Sequence, residues 1–388
     1  MNKVYILGGG RSYIGIENSM YRHMPAEILG AKTLIKAAEP YNRNELDGII
    51  AGNGVGAGGN IARLMMLEAG LSEKIPAVTV DLQCGSGLES LGIAAAKIAC
   101  GMGDFYIAGG FESSSTAPRR GYSSNHPDYE KYGGENRWYR AAKFSPGIHR
   151  DTTMIEGAEN TAKKKKITRQ EMNFWVLRSH RLAKETREKG ILKDIVFSVA
   201  EGCDKDEGIR ERMTEKFLNR LPCVLPEGEA VTAGNACLTN DGAAFLVLCS
   251  EKYALQHGLE PKAEFIGMAE AGGSPLESPV TAIKAIDKLL CKYHLVAQDI
   301  DIFECNEAFA VIDVLFARAY PKMTERYNIL GGALAYGHPY GASGGIITLH
   351  ALKALEQVNG TFGVCSIAAA GGVGTAILIK KRKNNGLL

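Results

Sequence analysis

No Cys-x-x-Cys pair occurs anywhere in this 388-residue chain, and its nine cysteines are odd in number and scattered. That argues against both a disulfide framework and a zinc site, and it suits a reducing cytoplasm. Excess charge of one sign is also missing: a formal net charge of +2 gives no reason to expect a nucleic acid or an acidic partner. The N-terminus, Met-Asn-Lys-Val-Tyr-Ile-Leu-Gly, holds too short an apolar run for a signal peptide and reads as a first strand at Val4–Leu7. No Walker A sequence, metal-ligand cluster or basic-aromatic pattern is present. Thr361–Ile379 carries no charge and is long enough to span a bilayer, but Gly371, Gly372 and Gly374 at its centre predict two buried strands around a turn.

What is present begins with Cys84, in Ala-Val-Thr-Val-Asp-Leu-Gln-Cys-Gly-Ser-Gly-Leu. Residues 77–81 read as a short strand and 88–99 as a helix with apolar Leu88, Leu91, Ile93 and Ile98. The cysteine therefore lies where a strand hands over to a helix, with Gly85 and Gly87 permitting a sharp bend. The positive end of that helix is expected to lower the thiol pKa. Cysteine more often packs as a small buried hydrophobe; the preceding strand and following glycines favour a reactive thiol here.

The length allows two or three domains, or one duplicated unit, and an internal echo favours duplication. Asp47-Gly-Ile-Ile-Ala-Gly-Asn-Gly is matched by Asp301-Ile-Phe-Glu-Cys-Asn-Glu, Cys84-Gly-Ser-Gly by His338-Pro-Tyr-Gly-Ala-Ser-Gly, and Gly109-Gly110 by Gly371-Gly372. Alternating strands and amphipathic helices predict helices packed over a mostly parallel sheet. The more polar segment 115–235, with a helix near 171–189 opened by a Thr168–Glu171 capping box, reads as an inserted domain over the active face. Lys163–Lys166 within it could touch an anion, although lysine runs are usually solvated faces.

Two motifs compete for attention. Gly54-Val-Gly-Ala-Gly-Gly59 fits G-x-G-x-x-G, with Asp81 placed about 20 residues on as a ribose ligand would be. A plain strand-to-helix turn is the preferred reading, because the first strand lies elsewhere. Gly341-Ala-Ser343-Gly-Gly345 fits the hydrolase G-x-S-x-G, but no acid separates Ser343 from the single later histidine, His350. Ser343 is read as a helix cap. Three polar groups remain at strand ends, where ligands meet open α/β sheets: Cys84, Asn306-Glu307 and His338.

Together these stretches resemble the thiolase superfamily, CoA-dependent enzymes that make or break carbon–carbon bonds between acyl-CoA units. The likeness rests on Pro76–Leu88, Ala108–Ser113, Val231–Ala236 with Asn240–Ala244, Asn306-Glu-Ala-Phe-Ala310 and Gly331–Gly344, and runs from Val4 to about Lys380. It implies a five-layered αβαβα fold of two similar halves with an inserted loop domain. The limits become 1–114 and 236–255 for the N-terminal half, 115–235 for the inserted domain and 256–388 for the C-terminal half. By position, Cys84 resembles the acyl-accepting nucleophile, His338 its base and a donor to the thioester oxygen, and Asn306 the holder of an oxyanion-hole water. The N–H groups of Cys84 and Ala370 resemble a second oxyanion hole. Met154 and Phe309 resemble residues lining the pantetheine and acyl pocket, and Cys237 stands where a serine usually meets CoA. The resemblance also implies no bound cofactor, a coenzyme A thioester as substrate, no nucleic acid or membrane partner, and a homodimer or homotetramer.

One departure affects the chemistry. Thiolases carry a second catalytic cysteine in a Cys-x-Gly-Gly-Gly stretch, and an ungapped alignment puts Ala368 there. Cys365, three residues earlier, is expected to face the opposite side of the strand. Ser366 shares the face of Ala368 but falls about 7 Å short of it. A strand bulge could change either placement. The expected activity is acyl-CoA C-acyltransfer through S-acyl-Cys84, with ordinary Claisen condensation weakened. The alternatives are an acyltransferase or decarboxylating condensing enzyme with another acceptor, or a non-catalytic acyl-CoA-binding homologue.

Overall fold

A computed structural model describes residues 2–132 and 138–382; the expected domain limits at residues 1 and 388 lie outside them. The strands are β1 (Val4–Ser12), β2 (Gly15–Ile16), β3 (Gly48–Gly52), β4 (Ala77–Val80), β5 (Phe105–Ser113), β6 (Val196–Phe197), β7 (Asn240–Ser250), β8 (Ala263–Gly272), β9 (Ile302–Cys305), β10 (Phe362–Ala369) and β11 (Val373–Lys381). They hydrogen-bond in the order β4-β3-β5-β7-β1-β8-β11-β10-β9, with β2 beside β7 and β6 beside β1. β5 and β7 are buried at every residue, which is why Phe105–Phe111 and Gly242–Cys249 read as runs of apolar and small side chains.

The order contains one motif twice. In the first half β4, β3 and β5 run parallel, then β7 and β1 antiparallel. In the second, β9 and β10 run parallel, then β11 and β8 antiparallel. A single parallel bridge, Phe303 to Tyr327, stands where β4 would recur. The halves join through two β1–β8 pairs, Tyr5 with Glu264 and Ile6 with Ala263. Equivalent aspartates do equivalent work. Asp47 Oδ2 accepts from the N–H groups of Asp104 and Phe105 at the start of β5, and Asp301 Oδ2 from those of Thr361 and Phe362 at the start of β10. The glycine pairs are not equivalent: Gly109-Gly110 lies inside β5, whereas Gly371-Gly372 makes the β10–β11 turn.

Three apolar cores separate five layers. Helices Ala26–Ala37 and Ile61–Glu68 cover one outer face, and helices Val280–Lys292 and Val311–Ala319 the other. Between the half-sheets lie two central helices, Ser86–Ala99 from the first half of the repeat and Ser343–Gln357 from the second. They touch backbone to backbone: a Cβ on Gly344 would come within 2.0 Å of Leu88 N. Only glycine fits there.

Between β5 and β7 the chain makes its long excursion, with helices Thr153–Lys165 and Arg169–Glu188, the latter opened by the Thr168–Glu171 capping box. Met172, Trp175 and Val176 share one core with Phe303 and Phe316, Leu192, Ile195 and Ile209 join the central core, and Val199 and Cys203 join the outer core of the first half, so this segment is spread over all three. Lys163–Lys166 are exposed, and Lys164 pairs with Glu277. Thr361–Ile379 forms β10, a turn and β11. Among the described residues, no helix is long and apolar enough to cross a membrane.

Candidate active site

Behind β4 the chain turns sharply. Asp81 Oδ1 accepts from Gln83 N at 2.9 Å, Leu82 N donates to Ser86 Oγ at 2.8 Å, and Ser86 Oγ donates to Gln83 O at 2.6 Å. Gln83 is thereby held at φ 51°, a strained conformation for a residue with a side chain. Cys84 follows, only 7% exposed, with the N–H of Ala370 and its own N–H directed at the sulfur. Burial nevertheless pushes the thiol up to about 12. This overturns the expectation of a lowered pKa. A rise from 9.0 to about 12 is worth about 4 kcal/mol, whereas a helix N-terminus contributes about 0.3–2 kcal/mol. The buried thiol is protonated at neutral pH and needs a base.

His338 is also buried, at 1% exposed, and desolvation lowers its pKa to about 3. The imidazole is therefore neutral. Its backbone N–H donates to Asn240 Oδ1 at 2.8 Å. Nδ1 lies 2.6 Å from Ser343 Oγ, and that hydroxyl donates onward to Pro339 O at 3.2 Å. This relay assigns the proton to Nδ1 and leaves Nε2 as the acceptor. Asn306 Nδ2 stands 3.4 Å from Nε2. Ser343 is the first residue of its helix and caps nothing; it orients the histidine. The G-x-S-x-G motif had singled it out, but for the wrong chemistry.

Glu307, the neighbour of Asn306, turns away from this group. Its carboxylate accepts from Ser179 Oγ, Asn328 Nδ2 and Leu334 N, anchoring the turn Ala333–Tyr336 that leads into His338. A second buried carboxylate escaped sequence reasoning although it lies inside Ala108–Ser113. Glu112 accepts from Asn53 Nδ2, Gly54 N, Val55 N and Gly341 N at 2.8–3.2 Å. It thus latches the loop before the Cys84 turn to the loop after His338. The same bonds explain the G-x-G-x-x-G segment: its N–H groups hold an internal carboxylate, and Asp81 is engaged in its own turn.

The remaining residues gather on segment 235–240. Ala310 N donates to Asn235 O, Ala236 bridges Phe309, and Cys237 N donates to Ala308 O at 2.9 Å. Thr239 then bridges His338. Half-buried Cys237 consequently sits between the loops bearing Asn306 and His338, and charge on Cys84 opposes its ionisation. The Tyr340 ring stands edge-on to His338 at 5.0 Å, with its hydroxyl feeling both cysteines. Met154, Phe309, Cys237 and Ala368 all pack in or against one apolar cluster. The β10–β11 ladder runs without a bulge from Phe362 to Ala369. Cys365 Sγ faces Ile347 O at 3.7 Å, towards the central helices. Ser366 Oγ donates to Ala282 O and Thr375 O, on the outer side. No group of three or more His, Cys, Asp or Glu among the described residues is arranged to hold a metal ion.

Comparison with known proteins identifies the family. Residues 4–252 match the model of the thiolase N-terminal domain, and residues 259–381 that of the C-terminal domain. The chain belongs to the thiolase family. It is 36% identical over 393 residues to a putative acetyl-CoA C-acetyltransferase VraB of Staphylococcus epidermidis, covering 99% of this chain and 100% of the relative. A protein of the same description from Staphylococcus haemolyticus is 33% identical over 98% of this chain and 99% of its own length. The crystal structure of Bacillus anthracis acetyl-CoA acetyltransferase superposes with TM-score 0.89 at 30% identity, covering 98% of this chain and 99% of the other. Human mitochondrial 3-ketoacyl-CoA thiolase gives 0.88 at 27% identity with the same coverage. This thiolase is an α/β acyltransferase of that superfamily.

Proposed function

We propose that the protein takes an acyl group from a coenzyme A thioester onto Cys84. The observation that carries this reading is a neutral His338, oriented by Ser343 with Nε2 as the acceptor, whose ring meets the same Tyr340 that feels the charge of Cys84, a buried thiol that cannot ionise unaided. As the sulfur attacks the thioester carbon, His338 takes its proton. The N–H groups of Cys84 and Ala370 stabilise the oxyanion, Asn306 holds the water of the other oxyanion hole, and the CoA sulfur departs. Met154, Cys237 and Phe309 line the approach of the acyl-pantetheine arm.

The second half-reaction must remove an α-proton, and the methyl group of Ala368 cannot do so. Loss of a positioned base costs about 100- to 10,000-fold, so ordinary Claisen condensation runs slowly unless another side chain takes over that proton. Ala368 also favours the second reading, transfer to an acceptor that needs no α-proton removed, including a decarboxylating one. Subunits associate as a homodimer or homotetramer, with the sheet-edge strand β4 as a contact.

Incubation with acetyl-CoA followed by intact-protein mass measurement tests the central step. The expected result is one acetyl adduct on the native chain and none on Cys84→Ala. An unmodified native protein that still retains acetyl-CoA would instead identify a non-catalytic binder.

A further inference from the structure

We infer that Cys237 is the acid–base residue that moves the α-proton of the second acyl-CoA, in place of a thiol at position 368. The inference rests on the Cys84 acylation proposed above.

Once His338 has taken the proton of Cys84 it is an imidazolium and no longer a base, so the second half-reaction needs another group. The thiol three residues before Ala368 is turned into the central layer, where Cys365 faces Ile347 O. Ser366 spends its hydroxyl on Ala282 O and Thr375 O. Cys237 differs in being half-buried rather than sealed in a core. Its backbone is stitched to the Asn306 loop through Ala308 O and, two residues on, to His338 through the Thr239 bridge. A thiol held between the two loops that carry the proposed oxyanion and base residues is placed where the acceptor's reacting carbon must come.

The proton count closes without any outside reagent. In acylation, His338 takes the Cys84 proton, the new C–S bond forms on Cys84, and the departing CoA sulfur takes the proton of Cys237. This leaves an imidazolium and a Cys237 thiolate. In condensation, the Cys237 thiolate takes the α-proton of the incoming acyl-CoA, and the resulting carbanion attacks the carbonyl carbon of acyl-Cys84. The C–S bond to Cys84 then breaks, and its sulfur recovers the proton from His338. Both thiols and the neutral imidazole are restored. Electrostatics sets the order of events. A thiolate on Cys84 would oppose one on Cys237, and a thioester on Cys84 cannot ionise, so in the acyl-enzyme a Cys237 thiolate faces no charged sulfur. Burial of Cys237 also raises its proton affinity, which makes the thiolate a stronger base once formed.

The test measures solvent deuterium exchange into the acetyl-CoA methyl group by the full-length native protein, Cys237→Ala and Cys237→Ser, with S-acetylation of Cys84 followed by mass in the same samples. Exchange is expected to fall by about 100-fold or more in both variants, and by more than acylation falls. Serine preserves size and hydrogen bonding, so equal losses in the two separate basicity from packing. Ala368→Cys introduced into the Cys237→Ala background is expected to restore exchange. Exchange at the native rate in either Cys237 variant would overturn the inference, as would native protein that acetylates Cys84 without any exchange. Absence of the Cys84 adduct in the native protein would instead remove the proposed acyl-enzyme on which the inference depends.

Discussion

At Cys84 two electrostatic effects of opposite sign meet on one sulfur atom. The helix that follows offers N–H groups, and two of the N–H donors of the site, those of Cys84 and Ala370, point at the thiol. Desolvation outweighs them and raises the pKa to about 12. The raised value fixes the direction of a pH effect: the thiolate fraction keeps growing as pH rises towards 12. Alkylation of Cys84 by iodoacetamide should therefore climb about tenfold per pH unit from pH 7 through pH 10. A plateau near pH 7 would show that the helix end, and not burial, governs this thiol. Cys84 and Asn306 follow β4 and β9 as the sequence pattern predicted, whereas His338 follows the short helix Ala333–Tyr336 and not a strand. The sign of the pKa shift was not legible in that pattern, since burial is contributed by residues hundreds of positions away. Ser343 illustrates the same limit: its neighbours suggested a cap, and only the fold brings its hydroxyl within 2.6 Å of His338.

The 53–55 loop, which precedes the Cys84 turn, and the loop after His338 are held by polar bonds from elsewhere, and Glu112 is their common tie. Two N–H donors meet each of its oxygens: Asn53 Nδ2 and Val55 N at Oε1, Gly54 N and Gly341 N at Oε2. Glu112→Gln replaces one acceptor with an NH2 group facing such donors. The substitution should cost about 3 kcal/mol, read as a lowered urea midpoint, and should slow Cys84 acetylation because both loops lose their tie. A variant as stable and as active as the native chain would contradict this role. Strand–turn–helix units were legible from periodicity, and so was the strand–strand turn at Gly371-Gly372. The meaning of Gly54–Gly59 was not. A row of backbone N–H groups suits any anion, and the local pattern cannot tell a ligand phosphate from a carboxylate arriving on β5.

In the whole molecule, the duplication leaves two unlike sheet ends. The edge at β4 borders directly on the Cys84 turn and exposes Val78 at 45%, with Leu64 and Leu67 of the adjoining helix exposed at 44% and 40%. An unpaired strand edge flanked by apolar side chains is a template for a second strand. Val78→Lys should therefore weaken self-association by about 100-fold or more while leaving the folded protomer intact, since Val78 is already solvated there. Light scattering across a dilution series checks this; an unchanged oligomer would remove β4 from the interface.

The amino-acid order alone determined that the chain repeats a β/α unit and that a cysteine follows one of its strands at a glycine-rich bend, because hydrophobic period and turn chemistry are local. It also placed a methyl group at position 368. Tertiary structure alone decided what those residues experience. The contact of Gly344 with Leu88 packs the two halves, the 235–240 segment seats Cys237 between the Asn306 and His338 loops, and burial sets the protonation of Cys84 and His338. Distance through space and exclusion of water are properties of the packed chain, and no window of sequence contains them.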